Sequence, residues 1–187
     1  MPGLKLVVIT GLSGAGKSHA LKCFEDVGYF CVDNLPPALL PTFVELCHQQ
    51  GGEIKNVALG IDIRERVFFA DLTSILQRIK DLGHSVELLF LEARDAVLVR
   101  RFSESRRPHP LLPELPVLEG VRFEKERLSE IRSQADRFID TSNLSVHELR
   151  DLLSRHFSHE QATRRLTISL ITFGYKFGVP YDIDLLF

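Results

Sequence analysis

The chain has 187 residues, 44% of them hydrophobic, and a formal charge of −2 at neutral pH. That is ample apolar material for one packed domain, while the near-neutral balance excludes a global basic field for nucleic acid and leaves only local patches to make such contacts. Three cysteines, Cys23, Cys31 and Cys47, with no C-x-x-C pair argue against a disulfide framework or a zinc knuckle.

Met1-Pro2-Gly3-Leu4-Lys5 leads directly into an apolar run with no signal-peptide layout, and no stretch approaches membrane-spanning length, so a soluble cytoplasmic protein is expected. Leu4 to Thr10 reads as a buried strand. It runs into Gly11-Leu12-Ser13-Gly14-Ala15-Gly16-Lys17-Ser18, which fits G-x-x-x-x-G-K-[ST], the loop that wraps the phosphates of a nucleoside triphosphate. Without a Cβ, Gly11 and Gly16 let backbone N–H groups turn onto phosphate oxygens. Lys17 supplies a point charge for the β- and γ-phosphates, and the Ser18 hydroxyl is placed to ligate Mg²⁺. A helix from Lys17 through Glu25 then points its positive N-terminal dipole at the same phosphates.

Gly28 to Asp33 reads as a second strand, broken by Asn34-Leu35-Pro36-Pro37 before a helix through about Gln50. Val57 to Asp62 is a third strand, followed by a helix over about Arg64 to Leu82 that Gly83 stops. Val86 to Leu91 is a fourth strand. Helices follow over Asp95 to Ser105 and Glu119 to Ala135, and Phe138-Ile139-Asp140 is a short fifth strand. Ser145 and Glu148 form a capping box for a last helix whose buried stripe is Val146, Leu149, Leu152 and Leu153. Alternating strands and helices imply an α/β three-layer sandwich around a parallel five-stranded sheet, of the P-loop, kinase-like NTPase type, covering residues 1–157. Residues 164–187 depart from this pattern: two strands around a loop, ending on the apolar Ile183 to Phe187, read as the beginning of a C-terminal domain that is mostly absent.

Mg²⁺ beside such a loop needs a carboxylate from a neighbouring strand end, and Asp62 is the first choice. Asp33 and Glu92, after the second and fourth strands, are rivals that could hold water, metal or an acceptor hydroxyl. Arg94, Arg100, Arg101, Arg106 and Arg107, followed by His109, form the densest positive stretch, at a helix end and the start of a Pro-rich loop. A lid that swings a guanidinium, Arg106 for instance, over the γ-phosphate would use them; solvated helix charges are the plain alternative. Phe102 suits a buried helix face better than a base-stacking platform. Thr141-Ser142-Asn143 falls either near the base or in an ordinary turn. His156-x-x-His159 has no third ligand, so surface histidines are expected.

Taken together, Gly11 to Ser18, Gly28 to Pro36 with its Val32-Asp33-Asn34-Leu35, Asp62-Ile63-Arg64, Arg100-Arg101-Phe102, Arg106-Arg107-x-His109-Pro110-Leu111, Asp140-Thr141-Ser142 and Phe173-Gly174-Tyr175-Lys176-Phe177-Gly178-Val179-Pro180 resemble the RapZ family of nucleotide-binding RNase adapter proteins. The resemblance spans nearly the whole chain. It implies a kinase-like N-terminal domain that binds and slowly hydrolyses ATP and GTP with Mg²⁺. It assigns Gly11 to Ser18 to ATP and Asp62, Ile63, Arg64 and Glu65 to GTP; a D-x-R-x segment at a strand end reads physically as part of one shared nucleotide site. It further implies a small regulatory RNA and a ribonuclease as partners, engaged through a C-terminal domain where this chain stops, a homo-oligomer for the full-length protein, and no membrane. On the residues alone, Lys17 and Asp62 are the catalytic candidates, and Asp33 would be the base in the alternative reading as a small-molecule or nucleotide kinase. A nucleotide-gated module without turnover is the third possibility.

Overall fold

A computed structural model of the chain describes residues 3–49, 54–62, 69–158 and 174. Five parallel strands lie in the order β2-β3-β1-β4-β5: β1 is Lys5–Gly11, β2 Phe30–Val32, β3 Asn56–Gly60, β4 Ser85–Glu92 and β5 Arg137–Asp140. β1 is central because Leu6, Val7, Val8 and Ile9 are apolar on both faces, which only a strand sandwiched between helix layers can bury. It pairs with β3 through Leu6 opposite Val57 and with β4 through Leu6 opposite Val86.

Among the described residues six α-helices complete the layers: α1 Lys17–Asp26, α2 Leu40–Gln49, α3 Phe69–Asp81, α4 Asp95–Ser105, α5 Val117–Gln134 and α6 Val146–Phe157. α1 packs against α6, where the Phe24 ring meets Tyr29 at 5.0 Å and Phe157 at 4.8 Å. The Tyr29 hydroxyl donates to the Phe157 carbonyl, and burial pushes the phenol up to about 12, so it stays neutral. The Gly83 stop is a Schellman turn: Gly83 has φ +87° and donates to Lys80, and His84 donates to Ile79. The capping box of α6 is present in both directions, Glu148 N–H to Ser145 Oγ and Ser145 N–H to the Glu148 carboxylate.

The departures from the sequence pattern are local. β2 keeps only three paired residues of the six expected, because it is an edge strand bonded to β3 alone. A short 3₁₀ turn at Pro37–Leu39 precedes α2, since prolines are tolerated where N–H groups are unpaired anyway. Val146 is not in the buried stripe of α6; at 57% exposure it stands on the cavity side of the helix start. Residues 164–187 lie outside the described residues apart from Gly174, as do residues 63–68 at the expected start of α3.

Strand order reverses at β1: the chain first crosses to the edge strand β2, comes back to lay β3 between β2 and β1, and then adds β4 and β5 on the other side. The crevice at the carboxyl end of β1 is therefore the ligand position that this topology creates. Leu89, fully buried on β4 beside β1, reports on the sheet core. Leu89→Ala should lower unfolding free energy by about 2–5 kcal/mol, read from urea denaturation.

Candidate functional site

The phosphate loop begins at a position that admits no side chain. Gly11 has φ +134°, and a Cβ there would lie 2.0 Å from the Leu91 carbonyl of β4. That close approach lets Leu12 N–H donate to the same carbonyl at 3.0 Å, fastening the loop to the neighbouring strand. Gly16, at φ +104°, is the N-cap of α1 and offers no side chain to the first N–H groups of the helix, and no acidic residue sits in the first turn. The helix start is thus left for an anion from outside. Lys17 Nζ donates to the Gly11 carbonyl at 2.7 Å and the Leu12 carbonyl at 3.2 Å, so its ammonium is held across the loop.

Later parts of the chain hold the loop in shape. Arg101 of α4 donates to the Gly14 carbonyl at 2.9 Å and to Thr141, at Oγ1 and at the carbonyl. Thr141, buried just after β5, donates through Oγ1 to the Ala15 carbonyl at 2.9 Å. Glu124 of α5 accepts from Ser13 N–H at 2.8 Å and Ser13 Oγ at 2.7 Å.

A cavity of about 990 Å³ opens over the loop, lined by Gly14, Gly16, Lys17 and Ser18 together with Asp33 and Asp62. Asp62 lies two residues past β3, and Asp33 directly follows β2. Gly60 makes room for the latter: a Cβ there would stand 2.5 Å from Asp33 Oδ1. Glu92 is elsewhere. Its carboxylate is clamped by Arg132, from Nε at 2.6 Å and Nη2 at 2.9 Å, and faces a separate cavity of about 420 Å³ with Arg94, Lys125 and Asp140. Of the three carboxylates read from the sequence, the structure brings Asp33 and Asp62 to the phosphate loop and leaves Glu92 out. Ile63, Arg64 and Glu65 lie outside the described residues.

The arginine cluster separates in the same way. Arg101 is a loop clamp, Arg94 donates to Asn143, and Arg100 is exposed beside Glu104. Arg106 is the left-handed residue that ends α4, while its neighbour Arg107 lines the cavity with Pro108 and Pro110. His109 does not belong to the charged surface: it is fully buried, with the half-buried Phe102 ring 5.3 Å away. A smaller hollow of about 150 Å³ lies between Gly14 to Gly16, His19, Arg101, Thr141 and Val146, which explains the outward Val146 as a wall. His156 is exposed and holds its own helix carbonyl, Leu152, while His159 lies outside the described residues. Among the described residues no cluster of three or more His, Cys, Asp or Glu could hold a metal by itself, and no helix is long and apolar enough to cross a membrane.

Glu124 and the inward His109 are the site residues that sequence reasoning missed. The signal was present: Glu124 falls in the helical stripe of Val121, Leu128 and Ile131, a carboxylate at a core position.

A doubly wound parallel sheet with a glycine-lysine-serine loop at the switch point and two aspartates on adjoining strand ends defines a P-loop, kinase-like fold. The chain belongs to the RapZ-like N-terminal domain family, which matches residues 4–161. It is 48% identical over 185 residues to a protein of Clostridium botulinum strain Hall named nucleotide-binding protein, covering 98% of this chain and 63% of that one. A protein of the same name from Desulforudis audaxviator is equally similar, at 48% identity over 99% of this chain and 63% of its own length. The chain thus spans just under two thirds of these curated relatives. Among solved structures, shikimate kinase from Bacteroides thetaiotaomicron superposes with a TM-score of 0.56 at 17% identity, covering 81% of this chain and 97% of the kinase. The tunicamycin resistance protein of Deinococcus radiodurans gives 0.55 at 20% identity, covering 82% and 95%. At such identities the likeness is one of fold.

The Arg132 hydrogen bonds hold the Glu92 carboxyl below its ordinary value of 4.5. A depressed folded value means that the pair stabilises the fold above about pH 4.5 and loses that effect as pH falls through the lower folded value. Arg132→Gln should return the Glu92 carboxyl toward its ordinary range in an NMR titration and flatten the acid limb of the stability profile.

Proposed function

We propose that this chain binds a nucleoside triphosphate, ATP or GTP, on Gly11 to Ser18, hydrolyses it slowly, and uses the nucleotide state to control partner binding as part of a cytoplasmic RNase adapter. The observation that carries the reading is the convergence of Lys17, Ser18, Asp62 and Asp33 on one cavity beside the uncapped start of α1. The Ser18 hydroxyl and the Asp62 carboxylate are hard oxygen donors of the kind Mg²⁺ takes, and their presence on one cavity fits the ion. When bound there, Mg²⁺ would neutralise charge on the β- and γ-phosphates.

The chain's own groups then have distinct tasks. The loop N–H groups and Lys17 orient the phosphates, Asp62 and Ser18 present oxygens to the metal, and Arg107 stands on the wall where a cation can face the terminal phosphate. Thr141 and Arg101 border the small hollow beside Gly14 to Gly16, on the side of the loop where the rest of the nucleotide would leave the phosphates. Ile63, Arg64 and Glu65 belong to the same nucleotide in this reading. Residues 1–157 form the nucleotide-binding domain and residues 164–187 begin the next one, through which a small regulatory RNA, a ribonuclease and further copies of the protein would be engaged.

A small-molecule kinase is the second reading. It is favoured by one feature: the cavity's 990 Å³ stands at the upper end of ordinary ligand pockets, about 300–1,000 Å³, and reaches Asp33 and Asn34, where an acceptor hydroxyl would find a base.

Lys17→Ala should weaken ATP binding at least about tenfold, and Asp62→Asn should lower turnover more than affinity. Hydrolysis assays on these variants with and without a panel of small acceptors check both; strong stimulation by one acceptor would replace the adapter reading with the kinase. In a gel shift titrated with salt, a longer chain carrying the next domain should hold RNA more tightly than this one, and equal affinity would contradict the division of labour.

A further inference from the structure

The phosphate loop and the opposite wall of its cavity meet at one buried carboxylate. Glu124 is 4% exposed, and both of its oxygens are used by Ser13 of the loop. Its Oε2 also lies 3.3 Å from Nε2 of His109, whose side chain is wholly buried. Leu111 N–H approaches His109 Nδ1 at 3.4 Å, which leaves Nε2 as the nitrogen that carries the proton toward Glu124. Yet Nε2 has no well-aligned hydrogen bond among the described residues.

The seat for this ring is built in. A Cβ on Gly120, one turn before Glu124 on α5, would stand 2.4 Å from His109 Cγ, so only glycine lets the helix pass the imidazole. Phe102 covers the ring from α4. On either side of His109 in sequence, Arg107, Pro108 and Pro110 line the cavity over the phosphate loop. The next residue of α5, Lys125, pairs with Asp95 at the start of α4, which holds the two helices together.

An apolar residue at position 124 would complete the stripe of Val121, Leu128 and Ile131 at less desolvation cost, and no Lys or Arg pairs with Glu124 among the described residues. We propose that Glu124 is a positioning residue for the nucleotide site: it sets the Ser13 crest of the loop and, through His109, the Arg107–Pro110 wall, so that phosphate binding and wall closure are one coupled step. Oε2 is shared between Ser13 N–H and the imidazole. A loop drawn toward phosphates turns the carboxylate and changes its alignment with Nε2, which is how a shift on one side biases the other. The inference rests on the nucleotide-binding reading above.

The test measures ATP affinity by titration calorimetry and hydrogen exchange over residues 106–112, with and without saturating Mg·ATP. Wild type should show slower exchange there when ATP is bound. Glu124→Ala should bind ATP at least tenfold more weakly and lose that slowing even at saturation. Glu124→Gln, whose amide can still accept from Ser13 N–H and donate to Ser13 Oγ, should recover affinity to within about threefold. A merely structural role would lower the melting temperature and leave the nucleotide-dependent exchange in place. If Glu124→Ala does not fold, His109→Asn carries the same expectation for exchange. Wild type that binds ATP while the variants match it in affinity and protection overturns this inference alone; wild type that binds no nucleotide overturns the reading beneath it as well.

Discussion

The close approach of Gly11 to the Leu91 carbonyl is the constraint on which the rest of the site depends. β1 is flanked by β3 and β4, and its last residue must pass so near β4 that a single methyl group would collide with backbone. Because it passes, the chain can turn sharply at the carboxyl end of the sheet and enter α1 with no side chain capping its first N–H groups. A helix start without its own cap is a cost in most proteins. Here it leaves the helix start open to an anion, and the fold places it at the reversal of strand order, where two neighbouring strand ends can add aspartates.

The loop is short, but its shape is not local. Arg101 from α4, Thr141 from the β5 to α6 connection and Glu124 from α5 each hold a different loop carbonyl, amide or hydroxyl. These ties reach from about 90 to 130 residues downstream. Polar groups held this way in the interior are satisfied only when every element has docked, so the loop's geometry reports on the whole domain. The same tethers join the loop to the helix layer and the cavity wall, which is the contact that the proposed coupling uses.

Much of this was legible from residue order. The G-x-x-x-x-G-K-S spacing, the capping box at Ser145, the Gly83 stop and the alternating strands and helices all rest on local chemistry, and local chemistry is what a sequence displays. Three carboxylates looked alike because each follows an apolar strand. Only the strand order separates them: β2 and β3 lie on one side of β1 and open onto the loop, whereas Glu92 ends β4 and is taken by Arg132. The arginine run reads as one basic patch, yet a helix turns successive side chains by about 100°. Arg100 therefore stays in solvent, Arg101 reaches the loop, and the chain beyond α4 turns His109 inward.

What the sequence determined by itself, then, is the ligand class and the fold: a phosphate-binding loop between a doubly buried strand and a helix has few other uses, and its glycine and lysine spacing can be read from residue order alone, although tertiary ties hold its shape. What only the tertiary structure decided is which charged groups share that loop and which are spent elsewhere. The spacing puts Glu124 in the apolar stripe of α5, but what its carboxylate meets there is decided only when α5 docks against the loop. Long-range pairing settles that choice, because whether a carboxylate is buried against Ser13 or solvated depends on packing between elements that lie far apart along the chain.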